Sequence, residues 1–218
     1  VGPSQAPGNF NAVITLKIDG DSLAQVGRID GLGKREEIKS VRWFGDLAIV
    51  VTFRQIDPLY VIDLSDPANP RLQGKLKIPG FPEYLHPLGP ERLNGIGQAA
   101  GPRGMTLGSQ AALFQLEDLA NPRQVAVHQF GRRIYALAGQ QPHQFTWLAD
   151  RRTALTVVTD GYGARTGWVA ALHLDRGQFV TTLTKTGYGQ SVDGIRLLPL
   201  PSGQVVMING DGASFLKL

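Results

Sequence analysis

The chain has 218 residues, with 42% hydrophobic and 18% charged positions and no cysteine. That is enough apolar material for one good-sized domain or two small ones, and it excludes disorder, disulfides and thiolate metal sites. Net charge is +4, yet basic residues occur at most in pairs (Lys34-Arg35, Arg132-Arg133, Arg151-Arg152), so the surface reads as mildly basic rather than built for nucleic acid.

The chain opens on a loop-like "VGPSQAPGN" without methionine, read as an internal start and a flexible segment over 1–9. Along the chain, 27 glycines and 14 prolines punctuate short apolar runs, and no run approaches the roughly 20 residues of a membrane span. The first pair of runs lies in Asn11 to Asp30, around an Asp-Gly hairpin signal. "KSVRWFGDLAIVVTF" from Lys39 reads as strand, tight turn, strand. "LYVIDLSDPANPR" from Leu59 adds a strand and a Pro/Asp/Asn turn, and "LQGKLKI" alternates as an outer strand with one solvated face.

The same unit then returns. "EYLHPLGPERLNGIG" from Glu83 repeats the strand–turn–strand opening, and "AALFQLEDLANPR" from Ala111 repeats the later strand 52 residues on, down to the Ala-Asn-Pro-Arg tail. Further openings start at His143 and Asp193, and further copies of the repeated strand at Val169, Ala213 and Ala12. Aligned apolar positions Val41, Leu85, Phe145 and Ile195 are spaced by 44, 60 and 50 residues. The long middle interval is assigned to a Gly-rich surface insertion at Gln98 to Gln110 between the second and third strands of its unit.

Units of this length, all β, are the pattern of propeller blades. The expected fold is an all-β β-propeller over 10–218 with three complete four-stranded blades and two partial ones. The first partial blade supplies its last two strands and the last supplies its first three. Such an arc does not close neatly on itself, which implies a larger ring whose partners are missing N-terminal blades or another subunit.

The run "EIKSVRWFGDLAIVVTFRQIDPLYVIDLSDPANPRLQGKLKIPGFPEYLHPLG", with the Ala-Asn-Pro-Arg copy and "PHQFTWL" at Pro142, resembles the secreted β-propeller-domain proteins of actinobacteria and archaea, distantly similar to WD40 propellers. The resemblance implies an extracytoplasmic propeller, usually the C-terminal portion of a longer chain. It carries over no catalytic residues.

Aligning the innermost strands puts Lys39, Glu83, His143 and Asp193 in one column and Arg42, His86, Thr146 and Arg196 in another. Residues at the ends of these strands converge on the channel mouth, so Arg42, Glu83, His86, His143, Asp193 and Arg196 are the candidate ligand-binding set. A metal held by the two His and two carboxylates is the weaker use of that set, because the spacing comes from alignment and not from a ligand motif. The bland alternative is that Arg42 or Arg196 simply pairs with Glu83 or Asp193. "DLSDPAN" lacks the glycine and distal glutamate of a calcium loop and reads as a turn. "TDGYGARTGW" is a loop whose Tyr162, Arg165 and Trp168 suit an interaction tip. No nucleophile motif appears, and no cofactor is expected. The expected role is a non-enzymatic binding or scaffolding module outside the cytoplasm, with a propeller hydrolase or lyase as the alternative.

Overall fold

Turn chemistry cuts the chain into short strands that pair with their sequence neighbours. A computed structural model describes residues 11–53, 57–101, 105–161 and 165–217; the 1–9 segment lies outside them. Strands β1 (Asn11–Asp19) and β2 (Ser22–Leu32) form a hairpin. β3 (Glu37–Phe44), β4 (Leu47–Phe53), β5 (Asp57–Asp63) and β6 (Arg71–Ile78) form a four-stranded antiparallel sheet in chain order. β7 (Phe81–Pro87), β8 (Arg92–Ala100), β9 (Thr106–Gln115) and β10 (Arg123–Gln129) repeat it. The fourth sheet contains β11 (Tyr135–Ala136), β12 (Phe145–Leu148), β13 (Thr153–Thr159), β14 (Thr166–Asp175) and β15 (Gln178–Gly187). The fifth is three-stranded: β16 (Arg196–Pro199), β17 (Val205–Asn209) and β18 (Gly212–Phe215).

Five consecutive antiparallel meanders, stacked face to face through separate apolar seams, make a β-propeller. Val13 and Leu32 pack on Val50, Tyr60 and Ile62 in the first seam. Ile49, Val51 and Val61 meet Leu85, Leu93 and Phe114 in the second. Ile96 and Ala111 meet Phe145 and Leu172 in the third, and Leu155 and Val157 meet Ile195, Leu197 and Met207 in the fourth. Strand alternation explains the sorting: successive residues face opposite neighbours, so Leu85 turns to the second sheet while Tyr84 and His86 turn to the fourth.

The repeated turn locks one blade to the preceding one. In Ser65 to Pro70, Asp66 accepts hydrogen bonds from the Ala68 amide (3.0 Å) and from Asn69 Nδ2 (2.8 Å). Asp118 does the same with Ala120 (3.0 Å) and Asn121 (2.8 Å). The carboxylates are thus spent on their own turns, which holds both below the usual carboxylate range. Each turn pushes a carbonyl, Pro67 or Leu119, against a glycine on the last strand of the blade before, Gly27 or Gly74. Thr15 Oγ1 also donates to the Pro67 carbonyl. The equivalent residue on β10 is Ala126, and the facing β14–β15 hairpin closes on the two residues Arg176 and Gly177 in place of the longer Asp/Asn/Pro turn; the Ala126 methyl group packs with Leu113 and Leu174.

Two expectations are corrected. Gln98 to Gln110 is not a surface loop: outside 102–104, which are not described, it extends the β8–β9 hairpin, with Gln98 opposite Ser109 and Ala99 opposite Gly108. Ser109 is buried, its amide donates to the Ile134 carbonyl (2.7 Å), and its carbonyl accepts from Phe130 (3.1 Å). The segment is therefore stitched to the next connection and is not dispensable. Second, this insertion is only one source of the long interval. The innermost strand of the fourth sheet is broken: β11 and β12 both pair with β13, and Leu137 to Gln144 loops out between them. β3 and β7 carry only a one-residue bulge at that level, at Lys39 and Glu83. Gln144 is fully buried there, and its Nε2 donates to the Val192 carbonyl (2.5 Å), tying the insertion to the fifth sheet.

Candidate functional site

Innermost strands crowd at the axis, β3 against β7 and β12 against β16. Cross-strand bonds link them: Ser40 Oγ donates to the Pro82 carbonyl (2.7 Å) and Thr146 Oγ1 to the Leu197 carbonyl (2.8 Å). Register places the second of the two aligned columns at equivalent levels. Arg42 lies opposite Ile49, His86 opposite Asn94, Thr146 opposite Leu155 and Arg196 opposite Ile208. The first three side chains of this column, Arg42, His86 and Thr146, face the following blade.

The six candidates do not form one cluster. Arg42 and His86 come together with two aromatic rings. Tyr84 Oη lies 3.3 Å from His86 Nδ1, and the Phe145 ring of the next blade sits 5.0 Å from Tyr84 and 4.8 Å from His86. Burial, with the nearby Arg42 cation adding to it, pushes the imidazole down to about 4, so His86 is neutral at pH 7. Glu83 sits apart at the bulge. Burial raises its carboxyl group, opposed by a 3.0 Å hydrogen bond from Gln98 and by the charge of Lys39. Lys39 itself pairs with Glu37 at 2.8 Å and lies over the Phe53 and Phe81 rings.

His143 and Asp193 are exposed on short 3-10 turns, Pro142–Gln144 and Val192–Gly194. Arg196 folds back on its own strand, its Nη1 donating to the Asp193 (2.8 Å) and Ile195 (2.7 Å) carbonyls. Among the described residues neither Arg42 nor Arg196 pairs with Glu83 or Asp193, and no three His, Asp or Glu side chains converge as a metal-binding group. Of the interaction-tip residues, Arg165 is exposed and lines a cleft with Gly189, Gln190 and Asp211. Trp168 is half-buried against the third seam, because its strand is already paired there, and Tyr162 lies outside the described residues. Sequence alignment did not find Phe145 as a partner of His86. Its only signal is alternation, which turns Phe145 back toward the preceding blade.

The low imidazole value has a stability consequence. In the unfolded chain His86 protonates near 6.5; in the folded chain it stays neutral down to about 4. The unfolded state therefore binds the proton first, and stability is lost as pH falls from 6.5 towards 4. After discounting for the solvent that still reaches the ring, the loss is about 1–2 kcal/mol. Urea denaturation at pH 7 and pH 4.5 should show this slope in the native chain and a shallower one in His86→Gln.

An axial bundle of innermost strands with blades radiating from it defines the class, and the comparisons define the family. The Beta propeller domain family matches residues 2–197, and the chain belongs to that family. An uncharacterized protein of Methanocaldococcus jannaschii is 40% identical over 130 residues, covering 60% of this chain and 20% of that protein. One of Archaeoglobus fulgidus is 42% identical over 104 residues, covering 48% and 16%. The chain therefore spans a fifth or less of the length of these relatives. A crystal structure of a Lactobacillus plantarum protein superposes with a TM-score of 0.59 at 16% identity, covering 94% of this chain and 60% of that one; it speaks for the fold alone.

Proposed function

We propose that this chain is a non-enzymatic scaffolding arc that docks edge-on, through both end sheets, against further β-blades, whether of a longer chain or of another subunit. The observation that carries the reading is the character of the two outer faces. On β1, Val13 and Thr15 face the second sheet, so alternation turns Ile14, Leu16 and Ile18 outward, and Ile18 is 76% exposed. Leu23, opposite Ile18 on β2, extends the patch. At the other end Leu198, Val206 and Phe215 stand in one cross-strand row, with Ile208 in the next, and Phe215 is 61% exposed.

Among the described residues the first sheet consists of β1 and β2 alone, and Trp43 of β3, on the side where inner strands would stand, is 55% exposed. Apolar faces of this extent, on sheets with unpaired edges, mark surfaces meant to be covered, and an uncovered tryptophan is a frequent interface anchor. Extracytoplasmic placement is part of the proposal and rests on the resemblance to secreted propeller-domain proteins. Charge on the first face tests the docking. The double variant Leu16→Lys/Ile18→Lys should abolish self-association or partner capture in size-exclusion chromatography while leaving the circular dichroism spectrum unchanged. Association that persists undiminished in this variant would remove the first face from the proposal.

A further inference from the structure

The inner wall of the arc holds a cation with no counter-ion among the described residues. Arg42 projects from β3 toward the third sheet, close enough for its charge to act on Tyr84 and His86, with Nε shielded from solvent and, among the described residues, without a hydrogen-bond partner. Among the described residues the ion pairs are Arg28–Asp30 and Lys39–Glu37, and neither involves Arg42. A guanidinium presents five donors in a planar fork, suited to a carboxylate or phosphate, and a partly desolvated donor left unpaired is costly.

Beside it stand groups that complete a site. Tyr84 Oη is 3.3 Å from His86 Nδ1. With the phenol donating to Nδ1, the imidazole proton resides on Nε2, where it is free to donate to a ligand. Phe145 packs on both rings, fixing the imidazole and lending the site an apolar side. We propose that Arg42 and His86 bind the carboxylate of a small organic anion on the inner wall between β3, β7 and β12, with Tyr84 orienting the imidazole and Phe145 facing the ligand's apolar body. Aromatic walls favour a carboxylate with an apolar body over strongly hydrated inorganic phosphate. The site lies within the second to fourth sheets, so it stands or falls independently of the docking faces.

Binding and protonation are coupled. An anion beside the Arg42 cation favours the imidazolium form, so it should raise the His86 pKa from its low starting value by about one unit or more, and proton uptake should accompany binding. The test is imidazole-detected 15N NMR of the intact chain titrated with benzoate and, separately, with inorganic phosphate. Benzoate should give a saturable shift at His86, move its titration upward, and be weakened at least about tenfold by Arg42→Gln, equivalent to about 1.4 kcal/mol. Arg42→Lys, which keeps the charge but loses the fork, should bind with intermediate strength, and the unfolding midpoints of both variants report that they fold. A His86 resonance indifferent to benzoate, or equal benzoate binding by folded Arg42→Gln, would overturn the site. Phosphate binding as tightly as benzoate would overturn the carboxylate assignment.

Discussion

Gly74→Ala should destabilise the chain by about 3 kcal/mol, the upper end of what overpacking costs. The added Cβ would overlap the Leu119 carbonyl oxygen and press on Pro122 and Ala120, all parts of the turn that locks the third sheet onto the second. These atoms are backbone and ring, so the strain has no flexible side chain to absorb it. Gly27→Ala should behave alike, against the Pro67 carbonyl and Pro70. Ala126→Gly, at the equivalent position facing the two-residue hairpin, removes only one buried methyl and should cost about 1 kcal/mol. Chemical denaturation of the three variants checks the ordering. Equal losses for Gly74→Ala and Ala126→Gly would show that the turn carbonyl is not the obstacle.

Tyr188→Phe should cost about 3 kcal/mol. The tyrosine is fully buried, and its hydroxyl group donates to the Val158 carbonyl and accepts from the Trp168 amide (3.0 Å), bridging the end of the β13–β14 ladder. Gly167 leaves the space it occupies. Phenylalanine keeps the ring but strands two buried backbone groups, each worth about 1–2 kcal/mol when left unpaired. A pH signature separates this from mere packing. Burial pushes the phenol up to about 12. Between pH 10 and 12 the unfolded chain has released that proton while the folded chain holds it, so stability falls with rising pH, by at most about 1.4 kcal/mol per unit. The difference in unfolding free energy between native chain and variant should therefore shrink across that window; a constant difference would mean that the hydroxyl is not the group responsible.

Local chemistry was the part of the fold that could be read from residues alone. The turns at Ser65 and Glu117 announce themselves because Asp, Asn and Pro act on their own backbone, and their recurrence sets the blade period. The columns Arg42/His86/Thr146/Arg196 and Lys39/Glu83/His143/Asp193 could be aligned because the strand–turn–strand openings keep a fixed length. What stayed hidden is what depends on neighbouring blades. Gly74 looks like an ordinary position in "LQGKLKI" until the Leu119 carbonyl arrives from 45 residues away. The break between β11 and β12 was hidden because Leu137 to Gln144 is apolar and polar by turns without a clear period. In the candidate site, Arg42 and His86 were legible as a column, but their separation from His143, Asp193 and Arg196 was not, since 3-10 turns and a self-bonded arginine leave no mark on spacing.

The docking of the end sheets is tested most directly by sedimentation velocity of the purified 218-residue chain over a range of concentrations. Association that grows with concentration, suppressed by charge at Leu16 and Ile18, is the predicted result. A concentration-independent monomer that stays in solution and places Phe215 and Ile18 in contact, closing the ring with its own two ends, would contradict the account.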